Sequence, residues 1–199
     1  MRGAAISFLT PTIATIACVT SFALASVGFD YTVPGQFFLV KQPTDMVCWA
    51  VAATMLRSWK VQQKLDPAKV MDDAGVQFRV KFDHNQGLGA DEKVQFLSAM
   101  HLQSEPPATY TASGILSLLQ LHGPLWVTTT PSGNHSFAIH ARIIIGITGS
   151  DQDAFVTIAD PADGTKHVES FKDFTAEMEA IAKQDYGAGA DVRPLIVHF

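Results

Sequence analysis

Residues 42–60 read QPTDMVCWAVAATMLRSWK, and this stretch predicts the centre of the fold. Every residue from Cys48 to Ala53 is apolar, and polar residues return only from Thr54 onward. A helix that is apolar on all sides belongs in the interior of a protein. We therefore predict a buried helix that begins at Cys48, where the partial positive charge of a helix N-terminus favours a thiolate.

The first 25 residues differ from the rest of the chain. Arg2 is their only charged residue, and Ala23-Leu24-Ala25 is a small-x-small sequence of the kind that signal peptidase cuts. We interpret residues 1–25 as a secretory signal peptide and predict a secreted or periplasmic protein. The alternatives are an uncleaved membrane anchor, a lipid attached at Cys18, and a cytoplasmic effector with an unusual leader.

Residues 26–199 are suited to a single domain with a sizeable core, because 174 of the 199 residues remain without the leader. This part of the chain has 13 basic and 19 acidic residues, and it has no basic run with interleaved aromatic residues. Its composition therefore argues against a nucleic-acid partner.

The pattern of apolar residues changes from helical to extended at Pro124. The predicted helices before this point cover residues 48–62, 67–74, 92–100 and 114–122, and residues 76–90 are interpreted as a loop. The predicted strands after it cover residues 125–130, 136–147, 154–160, 165–169 and 193–199, with a helix at 171–183. A helical half followed by an antiparallel β half is the α+β pattern.

Two details of these helices can be predicted as well. Val94, Leu97 and Met100 have the spacing of a buried helix face. Ser113 is expected to cap the helix that follows it, and Gly123 to end that helix.

Cys48 is the only cysteine left once the leader is removed. A lone buried cysteine is often inert, but a free thiol in an exported chain also calls for a functional explanation. Nucleophilic cysteine catalysis needs a base, a group that orients the base, and donors for an oxyanion.

His140 is the candidate base. It shares its strand face with Ser136, Ala138 and Arg142, so we expect the imidazole to point outward toward the helical half. If the next strand pairs back through a turn at 149–153, Asp160 lies opposite about residue 142, where its carboxylate can orient the ring. A turn-initiating Asp before Pro is the alternative explanation of Asp160.

Other polar residues complete the set of candidates. His135, in the loop before the long strand, is the rival base. Gln42 lies six residues before Cys48, and its amide could join the Cys48 backbone N–H in an oxyanion site. There is no HExxH sequence and no cysteine pair, and the spacing of His135 and His140 is unusual for metal ligands, so we predict no metal and no cofactor.

In order and placement, Gln42, Cys48-Trp49, His140-Ala141 and Asp160-Pro161 resemble the papain-like cysteine proteases. The similarity is greatest to the bacterial branch typified by secreted avirulence effector proteases. It runs from about Tyr31 to Glu179. Further matches are GL at 87–88, GPLWV at 123–127 and DPADG at 160–164.

The resemblance implies an α+β papain-like fold in which a helical half with a central N-terminal helix packs against an antiparallel sheet or barrel. It implies Cys48 as nucleophile, His140 as general base and acid, Asp160 as orienting group and Gln42 as oxyanion donor. The substrate would be a protein or peptide, and the target could belong to a host or competitor cell. In the plant and lysosomal enzymes Asn stands at the position of Asp160, and the spacing from Cys to His is wider than the 92 positions here.

Two other functions remain open at this point. The same triad could carry out acyl transfer or deamidation of a protein glutamine. Alternatively, the chain could be a binding module that keeps the fold without activity. The complete set of Gln, Cys, His and Asp argues against the second of these.

Overall fold

The computed structural model describes residues 28–130, 139–186 and 195–199. The helices are α1 Cys48–Val61, α2 Pro67–Ala74, α3 Val76–Asp83, α4 Ala90–Ala99, α5 Ala112–His122 and α6 Phe171–Tyr186. The strands are β1 Phe29–Thr32, β2 Gln103–Ser104, β3 Leu125–Thr129, β4 His140–Gly149, β5 Ala154–Asp160, β6 Thr165–Ser170 and β7 Val197–His198.

The strands form one antiparallel sheet in the order β2-β7-β3-β4-β5-β6. Strand β4 is at its centre and pairs with β5 along one edge. On its other edge, β4 pairs first with β3 and then, from Gly146 onward, with β1. The N-terminal strand thus lies in the β half of the molecule, although the helical segment follows it in sequence.

Helices cover both faces of this sheet. On one face, Trp126 of β3 lies opposite Ile143 of β4 and contacts the Phe96 ring of α4 at 6.4 Å between centroids. The preceding residue of β4, Arg142, stacks its guanidinium over Phe174 of α6. Successive residues of a strand point to opposite faces, so α6 covers the face opposite α4.

The predicted buried helix is present as α1, which begins at Cys48. Every residue from Cys48 to Leu56 is buried, as the absence of polar residues indicated for Cys48 to Ala53, and Thr54 is buried with them. Gln62 adopts the left-handed conformation just beyond the last turn and ends the helix. This helix packs against β3 and β4 and so connects the helical half to the centre of the sheet.

The prediction of a loop at residues 76–90 is wrong for its first half, since Val76–Asp83 forms α3. Its apolar residues alternate with polar ones and so show no helical periodicity, but Phe78 is buried against the rings of Trp49 and Phe96. Arg79 adds ion pairs with Asp83 and Asp72. Contacts with other helices therefore stabilise a segment whose own pattern does not indicate a helix.

Two details of the next helices also differ from the predictions. In α4 the predicted core residue Val94 is 70% exposed, while Phe96 is fully buried among aromatic rings. At the start of α5 the capping residue is Thr111, whose hydroxyl accepts from the Gly114 N–H at 3.0 Å. Ser113 lies inside the first turn.

Several predictions concern residues outside the described ranges. These are the leader at 1–25 with Cys18, the turn at 131–134, His135, residues 136–138 of the strand predicted at 136–147, and the first part of the final strand. The leader and the exported location stay predictions. Of the helices in the described ranges, none combines the length and apolar character needed to cross a bilayer.

Candidate active site

His140 and Asp160 form a buried pair at one end of the sheet. His140 is the first residue of β4, and Asp160 is the last of β5. The two strands pair with Ile143 opposite Ala159, which brings Asp160 to the level of Arg142. Nε2 of His140 lies 2.6 Å from Oδ1 of Asp160. The antiparallel pairing thus brings together the two residues that the sequence placed on adjacent strands.

His140 is buried, contrary to our expectation of an outward-facing imidazole, but its ring reaches Cys48 at the start of α1 and so lies toward the helical half, as expected. His140 is 2% exposed, and Arg142 on the same face is 1% exposed. Helix α6 provides the cover over Arg142 through Phe174. The ring of His140 is therefore held in a largely desolvated environment, where electrostatic interactions are stronger than in water.

Asp160 also organises the turn that follows it. Its Oδ1 accepts from the Ala162 N–H at 2.8 Å, and its backbone oxygen accepts from the Gly164 N–H at 2.9 Å. The role in a turn, which we had considered as the alternative, therefore exists alongside the contact with His140. Oδ1 of Asp160 contacts both the Ala162 N–H and Nε2 of His140, so the turn holds the carboxylate against the ring.

The same turn holds the segment that carries Gln42. The backbone N–H of Gln42 donates to the Pro161 oxygen at 2.8 Å. Gly164 adopts φ +72°, and a Cβ at this position would lie 2.9 Å from the Lys41 nitrogen. Only glycine permits so close an approach with this backbone conformation. Gln42 and Asp160 are thus linked through a single turn.

The amide of Gln42 is buried beside the chain that leads to Cys48. Its Nε2 donates to the Asp45 backbone oxygen at 2.8 Å, and the residue is 7% exposed. A primary amide has two N–H groups, so one can hold the side chain in place while the second is directed at a bound group. Its Oε1 has no hydrogen-bond partner among the described residues.

Cys48 lies in the first turn of α1 and is 8% exposed. No side chain caps this helix, and its first turn contains no acidic residue. The helix dipole at Cys48 is therefore not offset by a carboxylate in that turn.

The loop after α3 holds the start of α1 in place. Asn85, in the left-handed conformation, accepts from the Met46 N–H at 2.8 Å. The backbone oxygen of Gln86 accepts from the Trp49 indole at 3.1 Å. Sequence reasoning missed both contacts. The His-Asn-Gln-Gly sequence indicates a turn, but its partner on another segment could not be derived from it.

The charges of Cys48, His140 and Asp160 support one another. Burial works against the charged imidazole, but the hydrogen bonds and charges of Asp160 and Cys48 outweigh it and raise the pKa of His140 to about 9. Burial likewise opposes ionisation of Asp160, yet His140, the Ala162 N–H and Arg142 lower the pKa of this carboxyl. Because Asp160 occupies Nε2, Nδ1 is the ring nitrogen left for the thiol. This arrangement can hold a thiolate beside an imidazolium.

A buried arginine behind this pair was also missed. Arg142 donates from Nε to the Thr129 hydroxyl at 2.9 Å and pairs with Glu169 at 2.7 Å and with Glu177. Its charge contributes to the low pKa of Asp160. We had assigned Arg142 only to a strand face, because its glutamate partners lie on β6 and α6 and share no sequence pattern with it.

Four other described histidines have different partners. His84 contacts the Val80 backbone oxygen, and His167 pairs with Asp163 at 2.8 Å on the surface. His122 and His198 stack on each other beside Glu105. The described residues thus bring His140 to Cys48, while the rival base His135 lies outside the described ranges.

Comparison with known proteins gives one family match. The model of the family described as papain-like cysteine protease AvrRpt2 matches residues 28–179. No curated protein matches the chain.

The solved structures that match this chain include the following two. One comes from work on antibody cross reactivity between the mite allergens Blo t 1 and Der p 1. It has a TM-score of 0.50 and 12% identity, and it covers 93% of this chain and 74% of the other. The second is UfSP from C. elegans, with a TM-score of 0.48 and 14% identity, over 91% of this chain and 35% of that one.

Proposed function

The chain belongs to the family of papain-like cysteine proteases described by AvrRpt2, and we propose that it hydrolyses peptide bonds through Cys48, His140 and Asp160. Family membership identifies the chain as a hydrolase with an α+β papain-like fold, as predicted. It also implies that the substrate is a protein or peptide. The observation that carries the proposed triad is the position of His140. Its Nε2 lies 2.6 Å from Oδ1 of Asp160, and Cys48 is near enough to the ring to help raise the pKa of His140.

In the proposed reaction, the Cys48 thiolate attacks the carbonyl carbon of the scissile peptide bond. His140 then gives its proton to the leaving amine, and the C–N bond breaks to leave a thioester on Cys48. Water, deprotonated by His140, attacks the thioester and releases the carboxylic acid product and the thiolate. Asp160 holds the ring in position and stabilises its charged form throughout.

Gln42 is proposed as a donor to the oxyanion that forms in both steps. Its amide is anchored through one N–H on Asp45, three residues before Cys48, and its backbone is fixed to Pro161. A donor that is already oriented before the reaction loses little entropy when charge develops on the substrate. The second N–H of the amide is the group that would face the oxyanion, together with the backbone N–H of Cys48.

Replacing Asp160 by Asn should move the alkaline limb of the activity profile to lower pH. The imidazolium of His140 persists up to about pH 9, so activity that needs it is lost as the pH rises through that value. Without the negative charge of Asp160, burial lowers the pKa of the ring, and we expect the limb to move down by about 1–3 pH units. The measurement is kcat/KM against pH.

The matched control is Asp163→Asn, which removes the carboxylate of the exposed pair with His167. This variant should keep the wild-type limb, because the His167 ring is not assigned to the reaction. An unchanged limb in Asp160→Asn would contradict the assignment of Asp160 as the group that raises the pKa of His140.

Product analysis tests the type of reaction. A mixture of peptides incubated with the enzyme in ¹⁸O-labelled water should yield new carboxyl termini that carry the label, with matching new amino termini. Intact peptides whose glutamine has gained about one dalton in ordinary water, or about three daltons in labelled water, would instead indicate deamidation. Peptides joined through new amide bonds would indicate acyl transfer, and no change at all would support a binding module.

A further inference from the structure

The loop that follows α3 contacts the chain on both sides of Cys48. Oδ1 of Asn85 accepts from the Met46 N–H at 2.8 Å, two residues before the thiol. The backbone oxygen of Gln86 accepts from the Trp49 indole at 3.1 Å, one residue after the thiol. The two contacts span 39 and 37 positions of sequence. Two consecutive residues of one loop thus hold the chain immediately before and after the proposed nucleophile.

This loop is itself fixed to the end of α3. The backbone N–H groups of Asn85 and Gln86 donate to carbonyl oxygens in the last turn of the helix, at 3.2 Å and 2.9 Å. Asn85 has φ +54°, a left-handed conformation that Asn adopts more readily than most other residues with a side chain. Phe78 of the same helix is buried and packs edge-on against the Trp49 ring. The side chain that reaches Met46 therefore comes from a backbone that is anchored in the core.

The segment held in this way carries a backbone donor for an oxyanion. No side chain of the described residues caps α1, so the N–H of Cys48, the first residue of the helix, is available to a bound oxygen. The direction of this N–H depends on the torsion angles of Met46 and Val47, because rotation there turns the rigid peptide plane that joins Val47 to Cys48. Contacts at Met46 and at Trp49 limit that rotation.

Gln42 and Asn85 hold the same short turn from two directions. Nε2 of Gln42 donates to the Asp45 backbone oxygen at 2.8 Å, and the N–H of the next residue, Met46, donates to Asn85. The two proposed oxyanion donors, the amide of Gln42 and the N–H of Cys48, lie on either side of this turn. Fixing the turn therefore fixes the position of one donor relative to the other before the substrate binds.

We propose that Asn85 is a positioning residue of the peptidase, which acts through Met46 to direct the Cys48 backbone N–H at the substrate oxyanion. This inference rests on the proposed peptidase function. Asn85 is exposed, so a water molecule can accept from the Met46 N–H when the side chain is removed. Water does not tie the two segments together, however. A variant of Asn85 therefore loses the position of the oxyanion donor rather than the hydrogen bond as such.

Asn85→Gly and Asn85→Asp test this role in the full-length protein. Glycine adopts the positive φ without strain and removes the acceptor, whereas aspartate keeps an acceptor oxygen. We expect Asn85→Gly to lower kcat and kcat/KM alike, by about tenfold or more, because the lost interaction belongs to the transition state. Asn85→Asp should retain most of the wild-type kcat.

Alkylation of Cys48 by iodoacetamide separates the oxyanion donor from the thiol. The reaction forms a C–S bond as the C–I bond breaks at a saturated carbon, so it needs the thiolate but develops no oxyanion. Its rate in Asn85→Gly should stay close to that of the wild-type protein while turnover falls. Exchange of the Met46 amide hydrogen should be faster in Asn85→Gly, because its acceptor is gone.

The matched control is Gln62→Gly, at the opposite end of α1 from Cys48. Gln62 also has a positive φ, +53°, and its Oε1 accepts from the Gln36 backbone N–H at 2.9 Å. The variant removes the same kind of contact at a place that is not assigned to the reaction, so kcat should be unchanged.

Three results would overturn the role of Asn85. These are a wild-type kcat in Asn85→Gly, alkylation that slows as much as turnover, and an equal loss of kcat in Asn85→Asp or in Gln62→Gly. Absence of turnover in the wild-type protein would contradict the proposed function instead. In that case unchanged exchange at Met46 would still overturn the inference, because this measurement does not need the reaction.

Discussion

Cys48→Ala is expected to abolish peptide hydrolysis while leaving the fold intact. The substitution removes the sulfur that we propose attacks the substrate, and loss of a catalytic nucleophile typically lowers kcat by roughly 10⁵-fold or more. Alanine fits within the space of the thiol at the start of α1, where the neighbouring contacts are made by Met46 and Trp49. The measurements are turnover of a peptide substrate and covalent labelling by a thiol-directed epoxide. Both should fall below detection.

Two histidine variants test whether activity is lost because the reaction is blocked or because folding is disturbed. His140→Gln and His167→Gln each disrupt a His–Asp pair, at 2.6 Å and 2.8 Å respectively. The first should lose activity nearly as fully as Cys48→Ala, and the second should keep it. Gln42→Ala should fall between them, with labelling retained and kcat lower by about a hundredfold. Turnover that persists in Cys48→Ala would remove this cysteine from the mechanism.

Arg142→Met should cause the largest loss of stability of any single substitution considered for this chain. The guanidinium is 1% exposed and pairs with two glutamates that are 28% and 31% exposed. Removing one partner of a buried ion pair leaves the other charges uncompensated. Because water can still reach the glutamates, we expect the free energy of unfolding to fall by about 3 kcal/mol, toward the lower end of the usual range. Urea unfolding at neutral pH measures the change.

The loss should depend on pH, and its direction can be derived. Burial raises the pKa of Glu177 and the neighbouring Glu169 raises it further, while Arg142 lowers it. Without Arg142 the pKa of Glu177 rises still more, so the folded variant binds its proton more tightly than the unfolded chain. The stability of the variant then falls as the pH rises from the pKa of Glu177 in the unfolded chain to its higher pKa in the folded state. The deficit in free energy of unfolding should therefore be larger at pH 8 than at pH 5.

Arg79→Met is the matched control, because Arg79 also pairs with two carboxylates, those of Asp72 and Asp83, but on the surface. Its loss should be much smaller, since exposed ion pairs contribute little. A triple variant, Arg142→Met with Glu169→Gln and Glu177→Gln, should regain part of the stability lost by Arg142→Met. Equal losses for Arg142→Met and Arg79→Met would show that the buried network does not stabilise the fold.

The parts of the fold that could be predicted are those where one local signal dominates. Helix α1 has no polar residue in its first turns, helix α2 has Asp66 before Pro67, and strand β5 is a short run ended by a turn. Each of these signals acts within a few residues along the chain. Accordingly, α2 and β5 span 67–74 and 154–160, the ranges predicted for them.

The parts that could not be predicted depend on partners distant in sequence. Helix α3 is stabilised by Phe78 packing on Trp49 and Phe96, and its own periodicity is weak. Val94 fits the helical pattern but faces solvent. The pairing of β1 with the end of β4 could not be foreseen from a four-residue strand.

The candidate site likewise has parts that could be predicted from the sequence and parts that could not. The order and types of Gln42, Cys48, His140 and Asp160 are readable in the sequence, and the turn at 149–153 predicts that the last two are neighbours. Their anchoring is not readable, because it relies on backbone contacts from Pro161 and Asp45. The burial of His140 was missed for a similar reason, because it depends on Asp160 of another strand and on Cys48 of α1.

The position of Asp160 at the end of β5, linked by its turn to Gln42, has a consequence for how the protein is made. The proposed nucleophile leaves the ribosome early, but its proposed base and orienting group lie in the last third of the chain and are placed only when β4 and β5 pair. At 5–20 residues per second, the thiol at residue 48 spends on the order of ten seconds without them. The nascent chain is thus expected to be harmless to its surroundings until nearly all of it has been synthesised, so that the topology itself delays the onset of proteolysis.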